Sequence, residues 1–498
     1  MKESPATDNT DLAGFGYRQE LKRSLGSFSS FAAGFSYISI LTGLFQMFYL
    51  GYGVAGPGFF WTWPFVLAGQ LLVALCFAEL ASRFPLSGGV YQWAKLTGNP
   101  FFGWMTGWIY LACLIVTIAA VAMALQVSLP QISNSFQLVG TTTDPHSVAI
   151  NAILLGSILI VISTVINAKG IKLLAIINNI GVFTELVGIV VLIILLLYHK
   201  VRSPVEAVVD IKTAASGLKS FPGASVLLAA TALTASYVLY GFDTAGTLAE
   251  ETHDPRKKAP RAILQALIAA GFAGLLVLLL ALMAAPDLNS PELGNINGGL
   301  PMLVKSVLGE ITGKLFLCNV IFAITVCTLA VQSGSVRLMF AMGRDGCLPF
   351  SKSLSSVSPK TQTPVLATLV CGLAALIILA MNIQFPKVFE LVTSIAILWA
   401  NLSYWIVVAL QLKNRIFSPR HGKDPDAKFS LGKWGLPVNI LAFFWSSFMV
   451  INVSWPRAAT YGEEWYHRYA AWIYTAGLIL LGVLIYYIKS VKRKKELR

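Results

Sequence analysis

Apolar residues run in stretches of about 20 along nearly the whole chain, punctuated by short segments rich in Lys, Arg, Pro and Gly. A hydrocarbon core about 30 Å thick needs about 20 apolar residues per helix. The pattern therefore predicts spans near 27–53, 58–81, 104–129, 147–168, 171–198, 226–250, 262–284, 315–340, 364–381, 389–410, 436–453 and 469–488. The expected fold class is all-α integral membrane with about twelve transmembrane helices. The connecting loops are at most a few tens of residues, too short to hold a soluble core of their own.

Composition agrees with lipid as the main solvent. The 498 residues are 56% hydrophobic and 12% charged, against roughly 25% charged in an ordinary globular chain, and the mean hydropathy is +0.70. A net charge of +14 alone would fit a nucleic-acid partner, but the basic residues sit in short loops between apolar runs, where they orient the chain. Most of the 37 Lys and Arg fall on one side if both ends lie in the cytoplasm. The exception is the loop 199–223, with Lys200, Arg202, Lys212 and Lys219 on the outside, partly offset by Glu206 and Asp210.

The first 26 residues are polar and lack the apolar core and cleavage site of a secretory signal, so a retained cytoplasmic tail is expected over 1–26. The tail 489–498 is a basic cluster suited to the anionic inner leaflet. All six cysteines fall in predicted spans or a predicted cytoplasmic loop, so no external disulfide is expected.

In lipid every backbone group must be satisfied, and an interrupted helix survives only where it lines a cavity or binds something. Two spans carry that signature. The first has Ser36, Ser39, Thr42 and Gly43 at mid-depth; the sixth has Gly241, Asp243 and Gly246. Helix packing alone would also explain single glycines, but a carboxylate at mid-membrane costs roughly 2.5–3.5 kcal/mol on insertion scales and calls for a cavity or a partner. Glu185 in the fifth span is a second interior acid with no basic residue near it in sequence. Such a group is suited to binding and releasing a coupling proton, with a packing role as the alternative. Glu79 at the inner end of the second span is expected to form an interfacial or gate pair beside Arg83. Interrupted helices at corresponding places in two halves point to a midplane site, with 27–198 as the first five-helix set and 226–410 as its inverted repeat, followed by two further helices over 436–488.

Three stretches carry a resemblance: AELASRFPLSGGVYQWA (78–94), GFDTAGTLAEETHDPRKKAPRAI (241–263) and SVRLMFAMGRDGCLPFSKSLSSVSPKTQTPV (335–365). With them the chain resembles the amino acid-polyamine-organocation transporters, in the amino acid/choline permease branch, from about residue 20 to the end. The resemblance implies a LeuT-like fold of two inverted five-helix repeats plus two extra helices, with substrate at the two breaks. It implies that Ser39, Thr42 and Gly43 form the first-helix turn whose amides receive a substrate carboxylate. It places Tyr237 as an aromatic gate over the substrate, Thr117 as a polar pocket position, and Gly241 and Asp243 in the second break. Glu185 matches a position that holds a coupling lysine in a proton-dependent relative, so the charge sign differs here. The first-helix turn also has Leu41 where a glycine is usual.

The resemblance implies a secondary permease for small amino acids or related amines such as 4-aminobutyrate, working by alternating access in the plasma membrane. A proton is the expected coupling ion. Sodium coupling, with oxygens from residues such as Ser333 and Ser335, exchange, and choline or polyamine substrates stay open, as does the oligomeric state. The loop segments EETHDPRKKAPR and GRDGCLP carry opposite charges that could form an inner gate, with Arg337 and Asp345 as the candidates flanking a helix end. No cofactor, metal or nucleic-acid partner is expected. The five histidines all lie in predicted loops, and the HExxH, GxSxG and GxxxxGK[ST] patterns are absent, which argues against an enzyme or an ATP-driven pump. A channel is the main physical competitor, because it too needs polar residues inside a helical bundle, and a transporter-derived receptor is a further alternative.

Overall fold

The computed structural model describes residues 12–208, 234–381, 388–418, 426–457 and 464–496. Asp210, Lys212, Lys219, the start of the sixth expected span (226–233) and the basic side chains beyond Lys489 lie outside the described residues.

The structure is a helical bundle. In chain order its principal helices are α1 (Ser27–Ile38), α2 (Ile40–Ala55), α3 (Thr62–Arg83), α4 (Val90–Thr97), α5 (Pro100–Ala122), α6 (Ala124–Ile132), α7 (Pro145–Lys169), α8 (Ile171–Tyr198), α9 (Thr234–Val238) and α10 (Thr244–Thr247). They continue with α11 (Pro255–Ala284), α12 (Gly299–Leu308), α13 (Glu310–Arg344), α14 (Val365–Ala380), α15 (Val388–Phe417), α16 (Gly435–Ser454) and α17 (Ala470–Glu496). Among the described residues nine stretches are long and apolar enough to cross a membrane. The stretch Ser27–Arg83 holds the first two expected spans, and the shorter apolar helix Val365–Ala380 coincides with the ninth. The sixth is described from Thr234 onward and is the most broken of all.

Local chemistry sets the helix starts. Asn99 accepts a hydrogen bond from the Phe102 amide at 3.0 Å, and Asp144 accepts one from the Ser147 amide at 2.9 Å. Each caps a helix whose first residue is proline, the position where a missing N–H costs nothing. The Ser147 hydroxyl and amide hold the Asp144 carboxyl below its ordinary range.

Burial follows each helix's place in the bundle. From Val326 to Gly343 every residue of α13 is buried, as expected of a helix surrounded on all sides. By contrast α8 has two faces. Asn178, Gly181, Glu185, Ile189 and Leu192 are buried at three- and four-residue spacing, while Ile176, Ile180, Phe183, Val187 and Val190 are exposed on the other side. Both faces are largely apolar, because one meets protein and the other meets lipid. Period and polarity together thus turn Glu185 inward. There α1 packs against α8, α11 and α13, and α5 packs against α13 and α15, which brings both helix breaks to the middle of the bundle.

Candidate functional site

The first break falls at Ser39. Its amide ends α1 by donating to Phe35 O at 2.8 Å, its carbonyl starts α2 by accepting from the Gly43 amide at 2.9 Å, and its backbone sits at φ 34°. A non-glycine residue at positive φ carries strain of about 1–3 kcal/mol, so something must hold it there. The holder is Glu185: its Oε1 accepts from the Ser39 hydroxyl at 3.0 Å and from the Leu41 amide at 3.1 Å. Ser39 Oγ also lies 2.7 Å from Thr42 Oγ1 and accepts a long bond from the Thr42 amide at 3.4 Å. The Thr42 and Gly43 amides are therefore engaged within the turn itself, and the buried acid of α8 caps the half-helix.

The second break runs from Leu239 to Asp243. Gly241 turns the chain at φ 87°, and the Tyr404 hydroxyl accepts from its amide at 3.0 Å. Asp243 Oδ1 accepts from the Tyr110 hydroxyl at 2.6 Å and from the Tyr404 hydroxyl. The Asp243 carbonyl then accepts from the Gly246 and Thr247 amides at 2.8 and 2.9 Å, restarting the helix as α10. Asp243 thus organises the break from the side of α5 and α15.

Between the breaks lies a very small, nearly closed cavity of about 10 Å³, room for no more than about one water molecule. Thr42, Gly43, Thr117 and Tyr237 line it, together with Tyr37 and Tyr240. Thr117 Oγ1 is 2.8 Å from the Tyr240 hydroxyl. On one side of the cavity Tyr237 donates to Gln46 Oε1 at 3.3 Å and Gln46 donates to Ala120 O at 2.6 Å, which ties α9, α2 and α5 together there. Ser39, Gly241, Asp243 and Glu185 are not in the lining; they shape its walls. Tyr37, Tyr240, Tyr110, Tyr404 and Gln46 went unread in the sequence. Tyr240 stands next to Gly241 and could have been read from that adjacency, whereas Tyr110 and Tyr404 are far away in sequence with nothing local to mark them.

The end of the bundle whose loops carry most of the basic residues is held together by ion pairs. Arg337 holds Glu251 through two bonds of 3.1 and 3.0 Å, and Arg344 holds Glu250 through two of 2.9 and 2.8 Å. The two loop motifs do bring opposite charges together, but Arg337 and Asp345 belong to different pairs. Arg337 lies two turns inside α13 rather than at its end. Asp345 meets Lys95 at 2.6 Å and accepts from the Tyr91 and Tyr17 hydroxyls at 2.6 and 2.8 Å. Burial disfavours the Lys95 ammonium, yet the Asp345 and Tyr17 partners outweigh it and raise its pKa above the ordinary value. Glu79 also needs correcting: its cation is Arg415 of α15, not its sequence neighbour Arg83. Arg83 instead lies over the Phe84 ring at 5.3 Å. Sequence proximity misled here because α3 ends at Arg83, while α15 runs alongside and delivers Arg415 from across the bundle.

The model of the amino acid permease family matches residues 25–484. The chain is 29% identical over 475 residues to amino-acid permease BAT1 of Arabidopsis thaliana, covering 90% of this chain and 88% of that one. It is 26% identical over 488 residues to the branched-chain amino acid permease BcaP of Bacillus subtilis, covering 96% and 95%, and 26% identical to amino-acid permease 2 of Neurospora crassa, covering 91% and 83%. The match spans every helix from α1 through most of α17, breaks included. The chain belongs to the amino acid permease family, whose members are membrane transporters of amino acids and not enzymes.

Proposed function

We propose that this chain is a secondary active carrier that moves small amino acids or related amines, such as 4-aminobutyrate, by alternating access coupled to protons. The observation that carries the reading is the small cavity between the two breaks, next to the turn at Ser39 that the buried acid Glu185 holds, with the buried Arg337–Glu251 pair further along α13. Substrate sits at the midplane with its ammonium against the faces of Tyr237 and Tyr240, where cation–π attraction is worth about 0.5–2 kcal/mol. Any carboxylate approaches Thr42 and Gly43 at the amino-terminal end of α2, the positive end of its dipole. Tyr237 and Gln46 close the outer side, and the Arg337 and Asp345 clusters close the inner. Residues 27–198 and 226–410 act as the two inverted repeats that rock against each other. On this reading the chain resides in the plasma membrane with both termini in the cytoplasm.

Glu185 is the coupling group. Among the described residues it pairs with no Lys or Arg; its partners are Ser39 and the amides at the break. Glu185→Gln is expected to abolish the stimulation of uptake by an inside-alkaline pH gradient while counterflow continues at near wild-type rates. Undiminished stimulation of the variant by the gradient would remove Glu185 from the mechanism.

A further inference from the structure

The amino-terminal end of α2 offers three amides without partners inside the helix, those of Ile40, Leu41 and Thr42. Such an end attracts an anion through the amides and the dipole together. In this protein a carboxyl group of the chain itself already occupies that end. Glu185 Oε1 takes the Leu41 amide at 3.1 Å and the Ser39 hydroxyl at 3.0 Å, and Ile40 faces the same carboxylate. The remaining amide, Thr42, is held only by the 3.4 Å bond to Ser39 Oγ, the atom that also serves Glu185. Thr42 and Gly43 line the cavity on the other side of that turn. A substrate carboxylate reaching the turn from the cavity therefore meets a second carboxylate bound through the same Ser39 hydroxyl, and two like charges on one half-helix end disfavour each other.

Building on the carrier reading above, we propose that Glu185 is an internal stand-in for the substrate's carboxylate. Ionised, it neutralises the end of α2 in the empty carrier; protonated, it cedes that end to the carboxylate of an amino acid. Carboxylate and proton then bind together, whereas an amine without a carboxylate has no rival at the turn and binds without a proton. The number of protons carried depends on the substrate, set by whether it bears an acid group. Of the helices packed against α8, only α13 brings a titratable side chain to Glu185 among the described residues, the Cys327 thiol. The nearest charged residue along α13 on its inner side, Arg337, is ten residues further on, about 15 Å at 1.5 Å per residue. The ends of α7 and α11 carry Lys169, Arg256, Lys257, Lys258 and Arg261, and the outer end of the bundle carries Lys305, Glu310 and Lys314.

The test is calorimetric binding to the purified full chain, repeated in buffers of different ionisation enthalpy so that protons taken up are counted. The probes are two matched pairs, leucine with isopentylamine and 4-aminobutyrate with propylamine. The expected result is an uptake approaching one proton for each acid-bearing member, with affinity weakening up to about tenfold per pH unit on the alkaline side. The two amines should show none of that proton uptake, and Glu185→Gln should bind leucine with no proton uptake and a flat pH profile. Equal proton uptake by amine and amino acid, or uptake persisting in Glu185→Gln, would overturn the proposal. If Glu185→Gln does not fold, Ser39→Ala takes its place: it removes a donor to the ionised carboxylate, so the profile for leucine should move to higher pH with the proton count kept, and an unmoved profile would count against the proposal. Failure of the wild-type chain to bind or transport any amino acid or amine would instead remove the carrier reading itself.

Discussion

Glu251→Gln is expected to be the most damaging single change at the inner face, because it leaves Arg337 buried without its countercharge. The two side chains are 0% and 1% exposed and share two hydrogen bonds. Removing one partner of such a pair typically costs 3–5 kcal/mol, most of it the penalty for the charge left behind. On the alternating-access reading proposed above, the pair parts when the bundle opens inward, and the cost then falls on the inner-closed state alone. The variant should therefore melt at lower temperature in detergent and should also populate inward-open forms, seen as faster modification of thiols introduced below the cavity. A charge-exchanged double variant, Glu251→Arg with Arg337→Glu, should recover part of both effects. Glu310→Gln provides the contrast, since its pairs with Lys305 and Lys314 lie at the surface, where exposed pairs contribute little. Its melting should match the wild type. A normal melting profile and normal thiol reactivity in Glu251→Gln would show that this pair is not a structural latch.

The second large effect is expected at Gly241→Ala. The backbone there has φ 87°, and a Cβ would lie 1.8 Å from a ring carbon of Tyr37. Tyr37 is itself buried against Tyr240 with ring centroids 5.7 Å apart, so it cannot swing away freely. Strain at the left-handed position and overpacking each cost about 1–3 kcal/mol, together enough for a roughly thirtyfold to ten-thousandfold loss of the competent site. Uptake of every substrate should fall by at least tenfold while the protein still reaches the membrane. Gly346→Ala separates the two causes: its φ is 72°, but nothing lies within 4 Å of the added carbon. It should pay only the backbone term and retain most of its transport. Equal losses at the two positions would argue that backbone strain, and not contact with Tyr37, governs the break.

How much of this was legible beforehand depends on the range of the interaction. The spans could be read because lipid thickness imposes a length on each helix independently of its neighbours; the fifth expected span, 171–198, coincides with α8 residue for residue. The break at Ser39 was legible for the same local reason, since Ser, Thr and Gly at mid-depth have no purpose in a featureless span. Glu185 stood out by its charge, but its partner did not: Leu41 and Ser39 are more than 140 residues away, and nothing in either segment names the other. Asp243 shows the same division. The acid was conspicuous, whereas the Tyr110 and Tyr404 hydroxyls that hold it look like any tyrosine in an apolar helix. Ion pairs were the least legible feature. Glu79 was matched with its sequence neighbour Arg83, while the fold chose Arg415, because side chains on separate helices meet by packing and not by sequence spacing.

The central claim, a proton-driven carrier for amino acids or related amines, is tested most directly by uptake into liposomes containing only this protein. The panel is α-amino acids, 4-aminobutyrate, polyamines and choline, each with and without an inside-alkaline pH gradient. The account predicts saturable accumulation of an amino acid or 4-aminobutyrate that the gradient stimulates, with counterflow of the same compound. Flux that neither saturates nor shows counterflow would contradict the carrier, and saturable uptake indifferent to the gradient would contradict its coupling to protons.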